Sequence, residues 1–202
     1  TGYHLRGLVP VDQNGRYRIR SVAPADYVSH VDDTIEEVCA ALTSSGFRSW
    51  AEPEISVLKY GKLLYVNLEN AAEAACGTEQ EIAPLVEMLI DEGRRVLDAA
   101  GVSYPTRDAF WARVGMPRGE VPGYDLTAGG STWQSLARGA GSIETDYLNG
   151  EIILLGTLHG VPTPVNRVLQ DRVSKMVATG EPAGSVSVDE ILMQARHPGS
   201  AP

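Results

Sequence analysis

Beyond Pro53 the apolar residues recur at helical rather than alternating spacing, and that change of period fixes most of what the chain can fold into. Helices are predicted at about 54–76, 79–100, 106–114, 131–138, 145–159, 164–178 and 187–196. The clearest places Ile82, Leu85, Leu89, Ile90, Val96 and Leu97 on one stripe. Glu79, Glu81, Asp91, Arg94 and Arg95 lie outside it, and Gly101 closes the helix. Gly160 stops the 145–159 helix, and Thr163 with Pro164 supplies the cap and first-turn residue of the next. Such a succession packs as an all-helical domain, so the fold class is mainly α.

The first 52 residues have another character. Residues 4–9 and 15–21 read as short strands, with Tyr17, Ile19 and Val22 set against Arg16, Arg18 and Arg20. Asp12-Gln13-Asn14-Gly15 is turn chemistry between them, which makes a hairpin. From Asp33 to Ser45, Ile35, Val38, Cys39 and Leu42 recur at helical spacing. Gly46 ends that helix, and Phe47 to Ala51 return as a strand. Three strands and a helix are too few to stand alone, so residues 1–52 read as the end of an α/β domain and residues 53–202 as the helical domain.

A chain of 202 residues is long enough for one sizeable core and a smaller appendage. Its net charge of -9, with the acids spread along it, argues against nucleic acid or an anionic membrane as partner. There is no apolar run of about 18 residues and no signal-peptide pattern, so the chain reads as soluble. Cys39 and Cys76 fall on apolar helix faces without metal-ligand spacing. They read as buried, reduced thiols, as in a cytoplasmic protein. His4, His30, His159 and His197 are scattered, which gives no metal site. No internal repeat is present, and only the tail from His197 reads as disordered.

Chemistry is most legible between Ser142 and Gln170. Glu144 and Asp146 open a helix, where unpaired N–H groups and the positive end of the helix dipole hold negative charge. A carboxylate so placed can orient a donor or a substrate hydroxyl; it can equally do no more than complement the dipole.

The run Glu144-Thr145-Asp146-Tyr147-Leu148-Asn149-Gly150, followed by His159-Gly160-Val161-Pro162-Thr163-Pro164-Val165-Asn166, closely resembles the C-terminal domain of ketopantoate reductases. The segment from Lys59 to Ala71 is similar to that family's lysine helix, with Lys62 at the catalytic position. Ser131-Thr132-Trp133-Gln134 is similar to its Ser-x-x-Gln helix start. The resemblance implies a helical domain like the C-terminal domain of 6-phosphogluconate dehydrogenases, preceded by the remnant of a Rossmann domain. It implies an NADPH-dependent oxidoreductase, a 2-dehydropantoate 2-reductase of pantothenate biosynthesis or a reductase of a similar 2-keto acid. Lys62 would donate to the keto oxygen as general acid, and Glu144 would accept from the nascent hydroxyl. Asn67 and Asn70 would bind substrate polar groups or the nicotinamide ribose, Ser131 the substrate carboxylate, and Trp133 would wall the pocket. Lys59, one turn before Lys62, is the rival lysine.

The chain departs from the family at particular places. The family's first asparagine follows its lysine by four residues, whereas Asn67 follows Lys62 by five and Asn70 by eight. Either the extra residue is absorbed as a π-bulge, or Asn67 points away from the cleft. Ser135 stands where many relatives have aspartate, and the stretch from Gln134 to Glu144 is one residue longer. Both bear on which 2-keto acid fits. No G-x-G-x-x-G fingerprint occurs anywhere; the nearest approach is Gly139 and Gly141 with Glu144 in the third place. The expectation is therefore a fragment: the substrate-binding half of a reductase, inactive alone because NADPH belongs mainly to a missing Rossmann domain, with homodimerisation open. The competing expectation is a non-catalytic helical module for dimerisation or small-acid binding.

Overall fold

A computed structural model describes residues 33–47, 49–77, 81–115, 129–139 and 143–196, together with the backbone of 8–10 and 17–19. The predicted turn at 12–15, the outer parts of both predicted strands, Glu79, Gly141, Ser142 and the tail from His197 lie outside the described residues. The chain divides into two compact units, Thr1–Lys59 and Tyr60–Pro202.

In the first unit, β1 (Leu8–Pro10) and β2 (Tyr17–Ile19) pair antiparallel, with Leu8 opposite Ile19, Val9 opposite Arg18 and Pro10 opposite Tyr17. Helix α1 (Asp33–Ser44) buries none of its residues, and Gly46, at a φ of 89°, ends it. The strand expected from Phe47 to Ala51 is absent from the described residues there. The Phe47 N–H turns back onto the Leu42 carbonyl at 3.0 Å, and the Trp50 indole donates to Glu52 at 3.3 Å. Strand geometry needs a ladder partner, and local bonds have taken its place.

Helix α2 (Ile55–Lys62) carries the chain into the second unit. A π turn (Leu63–Asn67) follows, and then α3 (Leu68–Cys76), α4 (Ala83–Ala99), α5 (Arg107–Val114), α6 (Ser131–Ala137), α7 (Thr145–His159), α8 (Pro164–Thr179) and α9 (Val188–Arg196). Among its described residues this unit has helices and no strand, as its period predicts. Helix α3 packs against α4, α6, α7 and α8, while α9 packs on α8. Leu64, Leu68, Leu85, Leu89, Leu97, Ile152, Leu169, Met176 and Ile191 are fully buried, each contributing about 2 kcal/mol by leaving water. Gly93 lets α4 come close: a Cβ there would stand 2.5 Å from Leu64 and 3.3 Å from Leu68.

The predicted stripe of α4 faces this core, but the helix starts at Ala83, where Glu81 accepts from the Ala83 N–H at 3.3 Å and Pro84 occupies the first turn. Cys76 is buried and desolvation pushes its thiol up to about 11, whereas Cys39 is only half-buried. No helix among the described residues is long and apolar enough to cross a membrane.

Candidate functional site

The extra residue between Lys62 and Asn67 is taken up by the π turn. The Leu68 N–H donates to the Leu63 carbonyl, five residues back instead of four. Five residues thus close what four close in an α-helix, so Asn67 and Asn70 come round to the face that carries Lys62. Leu63, Leu64 and Tyr65 hold the wide turn from within, all buried, with the Tyr65 hydroxyl donating to the Pro105 carbonyl at 2.9 Å. Lys62 itself is exposed, and Asn67 and Asn70 are half-buried.

Helix α6 meets α3 at Asn70. The Asn70 amide donates to the Ser131 hydroxyl at 3.3 Å, and the Glu73 carboxylate accepts from the Gly130 N–H at 2.6 Å. Ser131 is therefore not the cap of its helix. Gly130 holds that position and the capping oxygen comes from Glu73. Gly130 is required by closeness, not by φ, which is an ordinary -68°: a Cβ would overlap Asn70 and lie 2.7 Å from Glu73. Gln134 donates to the Gly129 carbonyl at 3.0 Å, and half-buried Trp133 backs onto Gly129. Glu69, one turn before Glu73, has its carboxyl raised, first by burial and then by the Glu73 charge.

Glu144 occupies the N-cap position of α7, exposed, with no capping bond from its side chain. Its carbonyl accepts from Tyr147 at 2.9 Å and Leu148 at 3.0 Å. Among the described residues no hydrogen bond or ion pair joins the Glu144 carboxylate to Lys62. Asp146 accepts from Gln170 at 2.9 Å and ties α7 to α8.

The sequence reading missed the strongest polar cluster. Glu92, 3% exposed, accepts from the Val165 N–H at 2.9 Å, the Asn166 N–H at 3.0 Å and the Asn166 amide at 2.8 Å. Asn149 donates to Asn166 at 3.1 Å. Thr163 makes no capping bond, contrary to expectation, because Glu92 has taken the α8 N-terminus. The signal was present: Glu92 sits three after Leu89 and four before Val96, on the apolar stripe, where an acid must be paired.

A cleft of about 580 Å³ is lined by Tyr65, Arg94, Asp98, Tyr104, Thr106 and Arg107 among others, and none of Lys62, Asn67, Asn70, Ser131 or Glu144 lines it. The N-termini of α4, α5, α6, α8 and α9 are capped by Glu81, Thr106, Glu73, Glu92 and Ser187, and Glu144 stands at that of α7. No group of three or more His, Cys, Asp or Glu able to hold a metal occurs among the described residues.

Comparison with known proteins gives two findings. The family model for the C-terminal domain of the ketopantoate reductase PanE/ApbA matches residues 64–177, more than half of the chain. Asn67, Asn70, Ser131 and Glu144 lie inside that match, and Lys62 just precedes it. A crystal structure of a PanE/ApbA family ketopantoate reductase from Ralstonia eutropha JMP134 is similar, with a TM-score of 0.56 and 26% identity over 72% of this chain. The match covers 49% of that protein, so the chain spans about half its length. No curated protein sequence matches significantly.

Proposed function

The chain belongs to the ketopantoate reductase PanE/ApbA C-terminal family, and from that premise we propose that it is the substrate-binding, catalytic-lysine half of an NADPH-dependent reductase of a 2-keto acid, 2-dehydropantoate or a similar acid. The observation that carries the reading is the Asn70–Ser131 hydrogen bond, which joins two segments 61 positions apart that the family resemblance both implicates. The π turn supports it by setting Lys62, Asn67 and Asn70 on one helical face. Residues 1–52 are proposed as the end of the nucleotide-binding domain, whose remainder would hold the cofactor. The parent reaction would belong to cytoplasmic pantothenate biosynthesis or a parallel route.

Reduction of a keto acid places negative charge on the carbonyl oxygen as the carbon accepts hydride, which the cofactor supplies. Lys62 is the group proposed to meet that charge: its ammonium donates a hydrogen bond to the oxygen and then a proton, leaving the 2-hydroxy acid. Glu144 accepts from the new hydroxyl and fixes its orientation. Asn67, Asn70 and Ser131 bind the remaining polar groups of the substrate, so that the carbonyl is held against the lysine. Trp133, beside them, closes the apolar side.

Calorimetric titration of the chain with 2-dehydropantoate tests this. Saturable binding is expected, weakened at least about tenfold by Lys62→Ala and left intact by Lys59→Ala, in line with loss of one charge-assisted hydrogen bond. Binding indifferent to Lys62→Ala removes the lysine from the mechanism. The rival reading, a helical module that pairs with a second copy, has one observation in its favour. Tyr147, Leu154 and Leu158 lie on one face of α7 at 82%, 54% and 67% exposure. Concentration-dependent dimerisation in sedimentation, without binding of any 2-keto acid, favours that module.

A further inference from the structure

The cleft of about 580 Å³ lies apart from the proposed substrate face, and its volume is that of a small-molecule site. It forms where α4 gives way to α5. Gly101, at a φ of 65°, closes α4, and Thr106 opens α5, its hydroxyl oxygen accepting from the Ala109 N–H at 3.2 Å and its own proton left to donate. Tyr65 lines the cleft from the π turn and is pinned to the connecting loop by its bond to the Pro105 carbonyl at 2.9 Å.

Arg94 and Arg107 come from different helices to the same ring. Each guanidinium carbon stands 5.6 Å from the Tyr65 centroid, so the two are no more than twice that distance apart. A cation over an aromatic ring spends charge but no N–H donor. Arg107 gives one nitrogen to Glu87 at 2.7 Å, and Arg94 reaches Asp91 at 3.4 Å and the Tyr65 hydroxyl. Neither Glu87 nor Asp91 lines the cleft, a third or more of each side chain in both pairs is exposed, and such surface pairs hold weakly. With five donors on each guanidinium, both arginines keep capacity for a further acceptor.

One acid stands among them. Asp98 lines the cleft and accepts from the Tyr104 hydroxyl at 2.9 Å. Burial first, then the bond to Asp98 and its charge, push the Tyr104 hydroxyl up to about 12, so it stays neutral and adds no second negative charge. Two guanidinium groups against one carboxylate leave the described lining one unit positive, in a chain whose net charge is -9. That balance suits a single negative charge. A dianionic phosphate would meet Asp98 as well as the arginines, whereas a carboxylate matches both the planar fork of a guanidinium and the one unit of charge. The rings of Tyr65 and Tyr104, with Val102, supply an apolar side for the body of the acid.

We propose that the cleft between α4 and α5 is a second ligand site, which takes a small monocarboxylic acid with an aromatic or apolar body. Arg94 and Arg107 hold the carboxylate, Thr106 donates to it, and Tyr104 and Val102 cover the body. The site goes beyond the reading of the substrate face and does not depend on it.

Calorimetric titration of the full chain with benzoate at about pH 7 tests this. Saturable binding at about 1 mM or tighter is expected. Benzamide, of the same shape but without the charge, should bind at least about tenfold more weakly, and phenyl phosphate should gain nothing over benzoate. Arg94→Gln and Arg107→Gln should each weaken benzoate about tenfold, and Arg107→Lys should fall short of the unaltered chain because an ammonium lacks the fork. Lys62→Ala, on the other face, should leave benzoate bound as before.

Four results overturn the proposal. They are no saturation by benzoate up to about 10 mM, benzamide binding as tightly as benzoate, phenyl phosphate binding at least about tenfold more tightly than benzoate, and benzoate binding that survives both arginine substitutions but is lost with Lys62→Ala. The last would put the acid on the proposed substrate face instead. The comparison of benzoate with benzamide in the unaltered chain decides the matter even if an arginine variant does not fold.

Discussion

Glu92 acts on the fold in proportion to how completely it is enclosed. Three donors end on one carboxylate, and through Asn166 and Asn149 that carboxylate couples α4, α7 and α8. Glu92→Ala strands the Val165 and Asn166 N–H groups without acceptors, leaves the Asn166 amide only the Leu89 carbonyl at 3.4 Å, and is expected to cost about 3 kcal/mol, read as a lower urea midpoint. A loss below about 1 kcal/mol would mean that water reaches the α8 N-terminus.

Glu69 gives a test of opposite sign. Its folded-state carboxyl titrates above the ordinary 4.5, so between the two values the folded chain holds a proton that the unfolded chain has released. Stability attributable to Glu69 therefore falls as pH rises through that window. Glu69→Gln should raise the urea midpoint at about pH 7 and leave it unchanged at about pH 3.5; an equal shift at both pH values would point to packing instead. At this scale the asparagines of the Asn149 and Asn166 runs were readable as a pattern. Their work was not: both serve the buried Glu92 cluster, which only the crossing of three helices creates.

The π turn is the element whose presence could be argued from spacing alone. One residue too many between Lys62 and Asn67 leaves two outcomes, a widened turn or a misdirected asparagine, and the burial of Leu63, Leu64 and Tyr65 selects the first. Deletion of Val66, inside the wide turn, should convert it to plain α-helix while leaving α3 in register, with the thermal midpoint preserved. Deletion of Ala72, fully buried in α3, turns everything after it by about 100° and should abolish cooperative unfolding. Similar losses for the two deletions would show that the π turn carries no slack. The helices were legible because their period is local. The strand expected at 47–51, absent from the described residues there, and the cap given to Thr163 were not, because both depend on a partner from elsewhere: a neighbouring strand in one case, Glu92 from α4 in the other.

Across the whole chain, the capping pattern limits what the helical unit can bind by itself. A dinucleotide is held largely by its phosphates, and a helix N-terminus with unpaired N–H groups is their usual seat. Here Glu81, Glu73 and Glu92 bring carboxylates to three N-termini, Thr106 and Ser187 bring hydroxyls to two more, and Glu144 stands at α7. The sequence has no glycine fingerprint to supply another seat, and its net charge of -9 adds long-range repulsion of an anionic cofactor. The 202-residue chain should therefore show no saturable NADPH binding below about 1 mM by fluorescence, the range where an affinity amounts to only about 4 kcal/mol. It should also oxidise no NADPH with 2-dehydropantoate, even at concentrations of the acid that saturate the proposed substrate site. Joined to a nucleotide-binding domain, the same Lys62 face should acquire turnover, lost with Lys62→Ala. Micromolar NADPH binding by the chain alone would locate a phosphate seat outside these helix N-termini and remove the division of labour between cofactor and substrate halves.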